Sequence, residues 1–441
     1  MVHFAALGYT VGALSSRESL VSVQTAPLHM PHAPSAIDGR AAWTRLAIAV
    51  LISTLGGVGM WSVPVSLPAV QTEFGVARAA ASLPFTLTMV GFAFGGIALG
   101  RLADWRGIMF PLLIGACAIG CGYVAAGFAP NLPAFALAQG ALIGFGSAAS
   151  FGPLMADISH WFERRRGIAV AICAAGNYLA GVVWPPTLQH FIETSGWRAT
   201  HIGVGIFCAV TMLPLAWFMR RRAPGHASLG SAPPAAFAPP DIGLSPRALQ
   251  VLLCIAGVAC CVAMAMPQVH IVAYCGDLGY GAARGAEMLS LMLGFGIISR
   301  VGSGFVADRI GGLATLLLGS VLQGTALLFY LMFDGLSSLY VISALFGLFQ
   351  GGIVPSYAII VREHFAPREA GARLGLVLMA TLGGMALGGW MSGFIFDLTG
   401  SYHIAFLNGL AWNLLNGSIV LWLLLRRRSR PLARVPADAV A

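Results

Sequence analysis

About twelve stretches of this chain are long and apolar enough to cross the ~30 Å of hydrocarbon in a bilayer, and no other feature constrains its fold as strongly. They run over residues 45–69, 80–101, 108–128, 132–156, 167–188 and 200–219. After a gap come 248–271, 286–306, 313–333, 337–360, 372–395 and 403–425. With 58% hydrophobic and only 9% charged residues, the chain would aggregate in water, so the bilayer is its solvent. The expected fold is an all-α membrane protein of twelve transmembrane helices.

The charged residues sit between the apolar runs. All 25 basic residues are Arg. Arg101 and Arg106, Arg164–Arg166, Arg220–Arg222, Arg309, and Arg362 with Arg368 fall in alternate connections, and Arg426, Arg427, Arg428, Arg430 and Arg434 follow the last span. The opposite connections hold only Arg78, Arg198 and Arg284. By the positive-inside rule both termini are expected in the cytoplasm. This pattern accounts for the net charge of +9 without a nucleic-acid partner. Eight Cys lie in or beside apolar spans with no metal-ligand or disulfide spacing, so neither a metal nor a cofactor is expected. Residues 1–42 carry no signal-peptide pattern and read as a disordered cytoplasmic tail, with Met30 an alternative start.

The stretch "RRRAPGHASLGSAPPAAFAPPDIGLSPR", residues 220–247, breaks the helical rhythm and reads as a cytoplasmic linker. It separates a six-helix bundle at 43–219 from another at 248–425, with a cytoplasmic tail at 426–441. The halves also match in sequence. "GRLADWRG" (100–107) pairs with "SGFVADRIGG" (303–312), placing Asp308 204 residues after Asp104. "FERRRGIAVAI" pairs with "FAPREAGARLGLV", aligning Gly167 with Gly371, and "SGWRATHIG" pairs with "TGSYHIAFL", aligning Gly196 with Gly400, at the same offset. An internal duplication of six helices is the mark of carriers that rock two halves about a central site.

The stretch from Gly100 through Asp104 to Gly107 resembles the loop signature of the major facilitator superfamily. Gly91, Gly95, Gly96 and Gly100 precede it and would admit a neighbouring backbone. The resemblance implies that Asp104, with Asp308, Arg309 and Gly312 in the second copy, gates the cytoplasmic side. Asp104 would meet a helix N-terminus of the other half, where the macrodipole favours a carboxylate. The family's basic pair after the second Gly is here Ile108 and Met109. Asp157, at the end of the fourth span, is an expected partner for Arg101 or Arg106.

Three further stretches narrow the resemblance. "SVPVSLPAVQTEFGVARAAASLPFT" (62–86), "PQVHIVAYCGDLGY" (267–280) and "GIISRVGSGFVADRIGG" (296–312) are similar to bacterial monocarboxylate-transporter-like carriers and their oxalate/formate-exchanging relatives. This implies a multi-pass protein of the bacterial inner membrane whose substrate is a small organic anion.

Arg300 stands inside the eighth apolar run, eight residues before Asp308. At 1.5 Å per residue that is about 12 Å up the axis, near the midplane. A guanidinium there is costly unless it faces water, a carboxylate or an anionic ligand. The repeat supplies a control, because 204 residues earlier stands Gly96. The architecture therefore does not require a cation at this level. Either helix carbonyls satisfy Arg300 or it binds an anion, and the second reading is favoured. The related carriers use an Arg at this position for the substrate carboxylate, and its planar fork suits one. Animal relatives carry an acidic residue one turn earlier, where this chain has Gly296. Exchangers of oxalate add a Lys on the eleventh span, and this chain has none. One cation fits a monocarboxylate better than a dianion, with protons or a counter-anion as candidate coupling partners.

Other candidate lining residues are Asn177, Gln350 and Trp61, with Tyr178 expected to face elsewhere. His270 and Tyr274, one turn apart, are candidates for an outer gate or selectivity contact. No His-Glu-x-x-His, Gly-x-Ser-x-Gly or paired mid-membrane acids point to an enzyme. The rival expectation is an efflux carrier of neutral or amphipathic compounds on the same fold.

Overall fold

The structure of the protein is a computed structural model that describes residues 37–221 and 242–428. Most of the expected N-terminal tail, linker and C-terminal tail lies outside the described residues. Eleven helices are long and apolar enough to cross a membrane. One of them, Arg166–Phe218, has 53 residues, about 80 Å at 1.5 Å each and far more than one crossing needs. It breaks at Gly196, whose φ of 80° and ψ of 156° are non-helical. The described chain therefore makes twelve crossings. They are α1 (Arg40–Phe74), α2 (Arg78–Arg106), α3 (Met109–Gly127), α4 (Leu132–Ser159), α5 (166–195) and α6 (197–218). The second half comprises α7 (Pro246–Asp277), α8 (Ala282–Ile310), α9 (Gly312–Met332), α10 (Leu336–His364), α11 (Pro367–Thr399) and α12 (Tyr402–Arg428).

The sequence repeat is also a backbone repeat. Both α2 and α8 have 29 residues, and adding 204 to the ends of α2 gives the ends of α8. Glycines with φ between 60° and 88° recur at the same offset, pairing Gly75 with Gly279, Gly107 with Gly311, and Gly196 with Gly400. Such φ values strain any residue with a Cβ, so each pair fixes a turn at an equivalent place in the two halves. The register slips once. A Cβ on Gly144 would touch the Thr88 carbonyl, as one on Gly347 would touch that of Met292. Thr88 and Met292 are 204 apart, but Gly144 and Gly347 are 203 apart. The extra residue falls in the π-helical segment Ala138–Gly144 of α4, and a π-bulge is what one inserted residue produces in a helix.

An even number of crossings puts Ile37 and Arg428 on the same face, here called the terminal face; the other is the distal face. Hydrogen bonds linking the halves cluster toward the distal face. Asp397 of α11 accepts from the backbone N–H groups of Arg78 (2.8 Å) and Ala79 (2.7 Å) at the start of α2. Thr86 donates to the Ala386 carbonyl at 2.9 Å, and Ser290 of α8 to the Val182 carbonyl of α5 at 2.5 Å. Toward the terminal face, a Cβ on Gly96, Gly100, Gly302, Gly304, Gly371 or Gly375 would meet nothing within 4 Å. The halves are thus joined at the distal face and parted at the terminal one.

This opening corrects two expectations. Gly91 and Gly95 do admit the α4 backbone, since a Cβ there would lie 1.9 Å from the Gly140 carbonyl oxygen or 2.5 Å from that of Phe145. Gly96 and Gly100 face open space instead. Asp104 is exposed and makes no hydrogen bond among the described residues; it lines a small pocket with Arg106, Asp157 and Arg220. All of these belong to the first half, so the contact with a helix of the other half is absent in this arrangement. Asp308 and Arg309 are likewise exposed, while the Gly312 N–H is held by Glu363 at 3.0 Å.

Candidate functional site

Arg300 lies on the face of α8 that meets α5, and it is half-buried. Its guanidinium carbon sits 4.6 Å from the centroid of the Tyr178 ring. Among the described residues it makes no ion pair and no side-chain hydrogen bond. Its Nε is sealed from solvent without a partner, so the two terminal nitrogens form the edge open to a ligand. The alternative in which helix carbonyls satisfy the guanidinium finds no support in these contacts.

The expectation that Tyr178 faces away is corrected by the structure. Its ring reaches α8 because Gly296, one turn before Arg300, has no side chain. A Cβ there would lie 2.4 Å from Tyr178 Cε1 and 2.8 Å from Cδ1. Gly296 is tight on its carbonyl side too, where a Cβ on Gly351 would lie 2.4 Å from its oxygen. The interruption of α10 at Gly351 and Gly352 therefore packs against α8 beside Arg300.

The other expected lining residues support this neighbourhood from behind. The Trp61 indole donates to the Asn177 carbonyl at 3.2 Å, tying α1 to the backbone that carries Tyr178. Trp61 is buried and Asn177 half-buried. The Asn177 side chain points toward the α1 break, where a Cβ on Gly57 would lie 3.0 Å from its Oδ1. Gln350 is fully buried on α10 and accepts from Gln268 of α7 at 3.1 Å, leaving its own Nε2 without a partner.

His270 and Tyr274 belong to a separate cluster at the distal face. The His270 Nε2–H donates to the Gly389 carbonyl at 2.7 Å, so Nδ1 is the acceptor for the Tyr402 hydroxyl at 3.2 Å. Tyr402 in turn accepts from Arg78. Arg78 forms a two-pronged pair with Asp277 at 2.9 and 3.2 Å, and stacks on Phe396 at 4.5 Å. Tyr274 packs edge-on against Tyr402 and Phe406, with its buried hydroxyl unpartnered. No described contact joins this cluster to Arg300. In the sequence Arg78 reads only as a loop cation on the sparse side.

Asp157 pairs with neither Arg101 nor Arg106. Its two oxygens accept from Arg45 Nε (2.8 Å) and a terminal nitrogen (3.0 Å), and Arg45 also donates to the Met219 carbonyl at 3.1 Å. Arg45 lies on the second turn of α1, directly beside the end of α4, whereas Arg101 and Arg106 are exposed on α2. The Arg45–Asp157 pair therefore ties α1 to α4, and Arg45 adds the end of α6, all within one half.

The chain matches the family model described as Major Facilitator Superfamily over residues 49–338 and 303–440. It is 28% identical over 309 residues to monocarboxylate transporter 13 of Bos taurus, covering 68% of this chain and 70% of that protein. To monocarboxylate transporter 11 of Homo sapiens it is 27% identical over 431 residues, covering 90% and 84%. Its fold is similar to that of the nucleoside transporter NupG, with a TM-score of 0.68 at 13% identity, covering 87% of this chain and 99% of the other.

Proposed function

The chain belongs to the Major Facilitator Superfamily and is a secondary transporter, and we propose that its cargo is a small organic monocarboxylate held by the guanidinium of Arg300. The observation that carries this reading is a mid-span cation with no protein counter-ion among the described residues and two terminal nitrogens that are neither bonded nor sealed from solvent. A half-buried guanidinium at mid-span is tolerated where it faces water or an anion, and an anionic ligand would fill the donors that the protein leaves open. A carboxylate supplies two acceptors at the spacing of the guanidinium fork. The monocarboxylate transporters among the relatives support the same class of cargo.

Transport proceeds by rocking of the two halves. With the distal face joined through Arg78, Asp277, Tyr402 and Asp397, Arg300 is reached from the terminal face. The Arg-rich connections support a cytoplasmic position for that face, with both termini inside and the protein resident in the bacterial inner membrane. In the opposite state the distal cluster parts, and the segments Gly100–Gly107 and Gly304–Gly311 of the two halves close the cytoplasmic mouth around Asp104 and Asp308.

Uptake into proteoliposomes tests this with labelled lactate, pyruvate, branched 2-oxo acids, formate and oxalate, in wild type and Arg300→Gln. Saturable uptake of monocarboxylates that is lost in the variant is the expected result. Normal uptake by a folded Arg300→Gln would remove the assignment. Export of neutral or amphipathic compounds then becomes the better reading. One feature favours it: an apolar cleft of about 610 Å³ between α1, α5 and α6, lined by Leu55, Trp184, Leu188 and Phe207.

A further inference from the structure

We infer that Tyr178 is a positioning residue for this site: its ring backs the Arg300 guanidinium without neutralising it and so directs the substrate carboxylate onto the two terminal nitrogens. The inference rests on Arg300 as the anion-binding group and goes beyond it.

A guanidinium can be held in place in two ways. A carboxylate beside it fixes its position but takes up its N–H donors and its charge. An aromatic face attracts the cation through the ring quadrupole and leaves the donors free. Here the second device is present. The guanidinium carbon is 4.6 Å from the Tyr178 centroid, and no described carboxylate pairs with it. The nearest acids along α8 are Glu287, which interacts with Arg284 and Tyr340, and the exposed Asp308. On α5, Glu193 lies near the distal end and accepts from Gln189. On α10, Glu363 holds the Gly312 N–H at the terminal end.

Three restrictions then define how a ligand can approach. The Tyr178 ring occupies one side of the guanidinium, 4.6 Å from its central carbon. Nε is shut away from solvent, which removes the side-on edge that Nε shares with one terminal nitrogen. What remains is the end-on edge, where two parallel N–H bonds meet the two oxygens of a carboxylate in the plane of the fork. A monocarboxylate satisfies this edge completely.

The device depends on position 296. Gly296 is four residues before Arg300 and on the same helix face. Its φ is not in the left-handed region, so the backbone does not call for glycine there. The requirement is steric, because a Cβ would stand 2.4 Å from the ring edge. Any larger residue at 296 moves Tyr178 away from the guanidinium. The missing side chain and the aromatic backing are therefore one feature seen from two helices.

The test is proteoliposome uptake of a labelled monocarboxylate, with KM and Vmax measured separately, in Tyr178→Leu, Tyr178→Phe, Gly296→Ala and Arg300→Gln. Loss of the aromatic face should raise KM about tenfold in Tyr178→Leu, equal to ~1.4 kcal/mol, with Vmax within about twofold. Tyr178→Phe keeps the face and should retain the wild-type KM within about twofold. Gly296→Ala should raise KM as Tyr178→Leu does while leaving both partners chemically intact. It also keeps the inference testable if Tyr178→Leu fails to fold. An unchanged KM in both Tyr178→Leu and Gly296→Ala would overturn the inference, as would Tyr178→Phe behaving like Tyr178→Leu. If those variants transport normally while Arg300→Gln is inactive, only the positioning role is lost. If Arg300→Gln transports normally, the anion site itself is wrong and the inference goes with it.

Discussion

Two arginines are held at the interface between the halves, and their surroundings are opposite. Arg78, at the distal start of α2, donates to both oxygens of Asp277 and to Tyr402, and stacks on Phe396. Arg300, in the middle of α8, touches one aromatic face and has no acceptor among the described residues. A cation whose donors the protein fills is a structural tie between helices. One whose donors are left open is prepared for something that arrives. The difference separates the part of the interface that holds the halves together from the part where we propose cargo is bound.

The repeat sharpens the contrast. The helices α2 and α8 have equal length and turn glycines at one offset. Subtracting 204 from 296 and 300 gives Phe92 and Gly96. The first half thus places a buried aromatic ring and an empty position where the second places an empty position and a cation. One backbone frame carries both, so the cation is not a requirement of the fold.

The largest expected effect comes from exchanging the charge at each place. Arg300→Gln should lower carboxylate uptake by at least about a hundredfold, the scale of losing a charge-assisted two-pronged contact. Its melting temperature should not fall, because no protein acceptor is left behind. Arg78→Gln should do the reverse. It strips Asp277 of its partner, and since that carboxylate is 38% exposed the cost is discounted from the fully buried case to about 1–2 kcal/mol. Thermal unfolding should drop by a few degrees, and cysteines introduced beside Asp277 should label faster as the distal face parts, with KM little changed. A more modest shift is expected for Asp397→Asn, which weakens the charge at the α2 N-terminus but keeps an acceptor there, by about 0.5 kcal/mol. Faster labelling in Arg300→Gln than in Arg78→Gln would erase the distinction between the two arginines.

A smaller effect would build the comparison anew. A side chain at position 96 has open space, so Gly96→Arg should fold and place a second cation facing the same opening. Competition by oxalate against monocarboxylate uptake should then strengthen by a few-fold, because two cations suit a dianion.

The span pattern, the duplication and Arg300 were legible in the sequence because each is a local or periodic property. Hydropathy marks a span within about twenty residues, and the constant offset supplied Gly96 as a control for Arg300. The break at Gly196 also carried a signal, its alignment with Gly400. The surroundings of these residues were not legible. Tyr178 and Arg300 are brought together only when α5 packs on α8, and nothing next to Tyr178 distinguishes its ring from a lipid-facing one. Arg45 reads as one more cation at a helix start until α4 delivers Asp157, 112 residues away. Arg78 and Asp277 are 199 residues apart on different halves, so their pairing appears only once the two halves are docked at the distal face. The expected contact of Asp104 fails for the same reason. Asp104 is exposed, and the glycines near it on α2 face open space, so no helix of the other half is there to meet it.

The most direct measurement is ligand-dependent thermal stabilisation of purified protein by the panel of acids, in wild type and in Arg300→Gln, because it reports binding without regard to direction or coupling. At a concentration one hundred times Kd, a bound monocarboxylate should stabilise the wild type by about 2.7 kcal/mol, and Arg300→Gln should show no shift at the same concentration. Equal stabilisation of both proteins, or stabilisation of neither by any acid at saturating concentration, would contradict the assignment of Arg300 as the substrate's counter-ion.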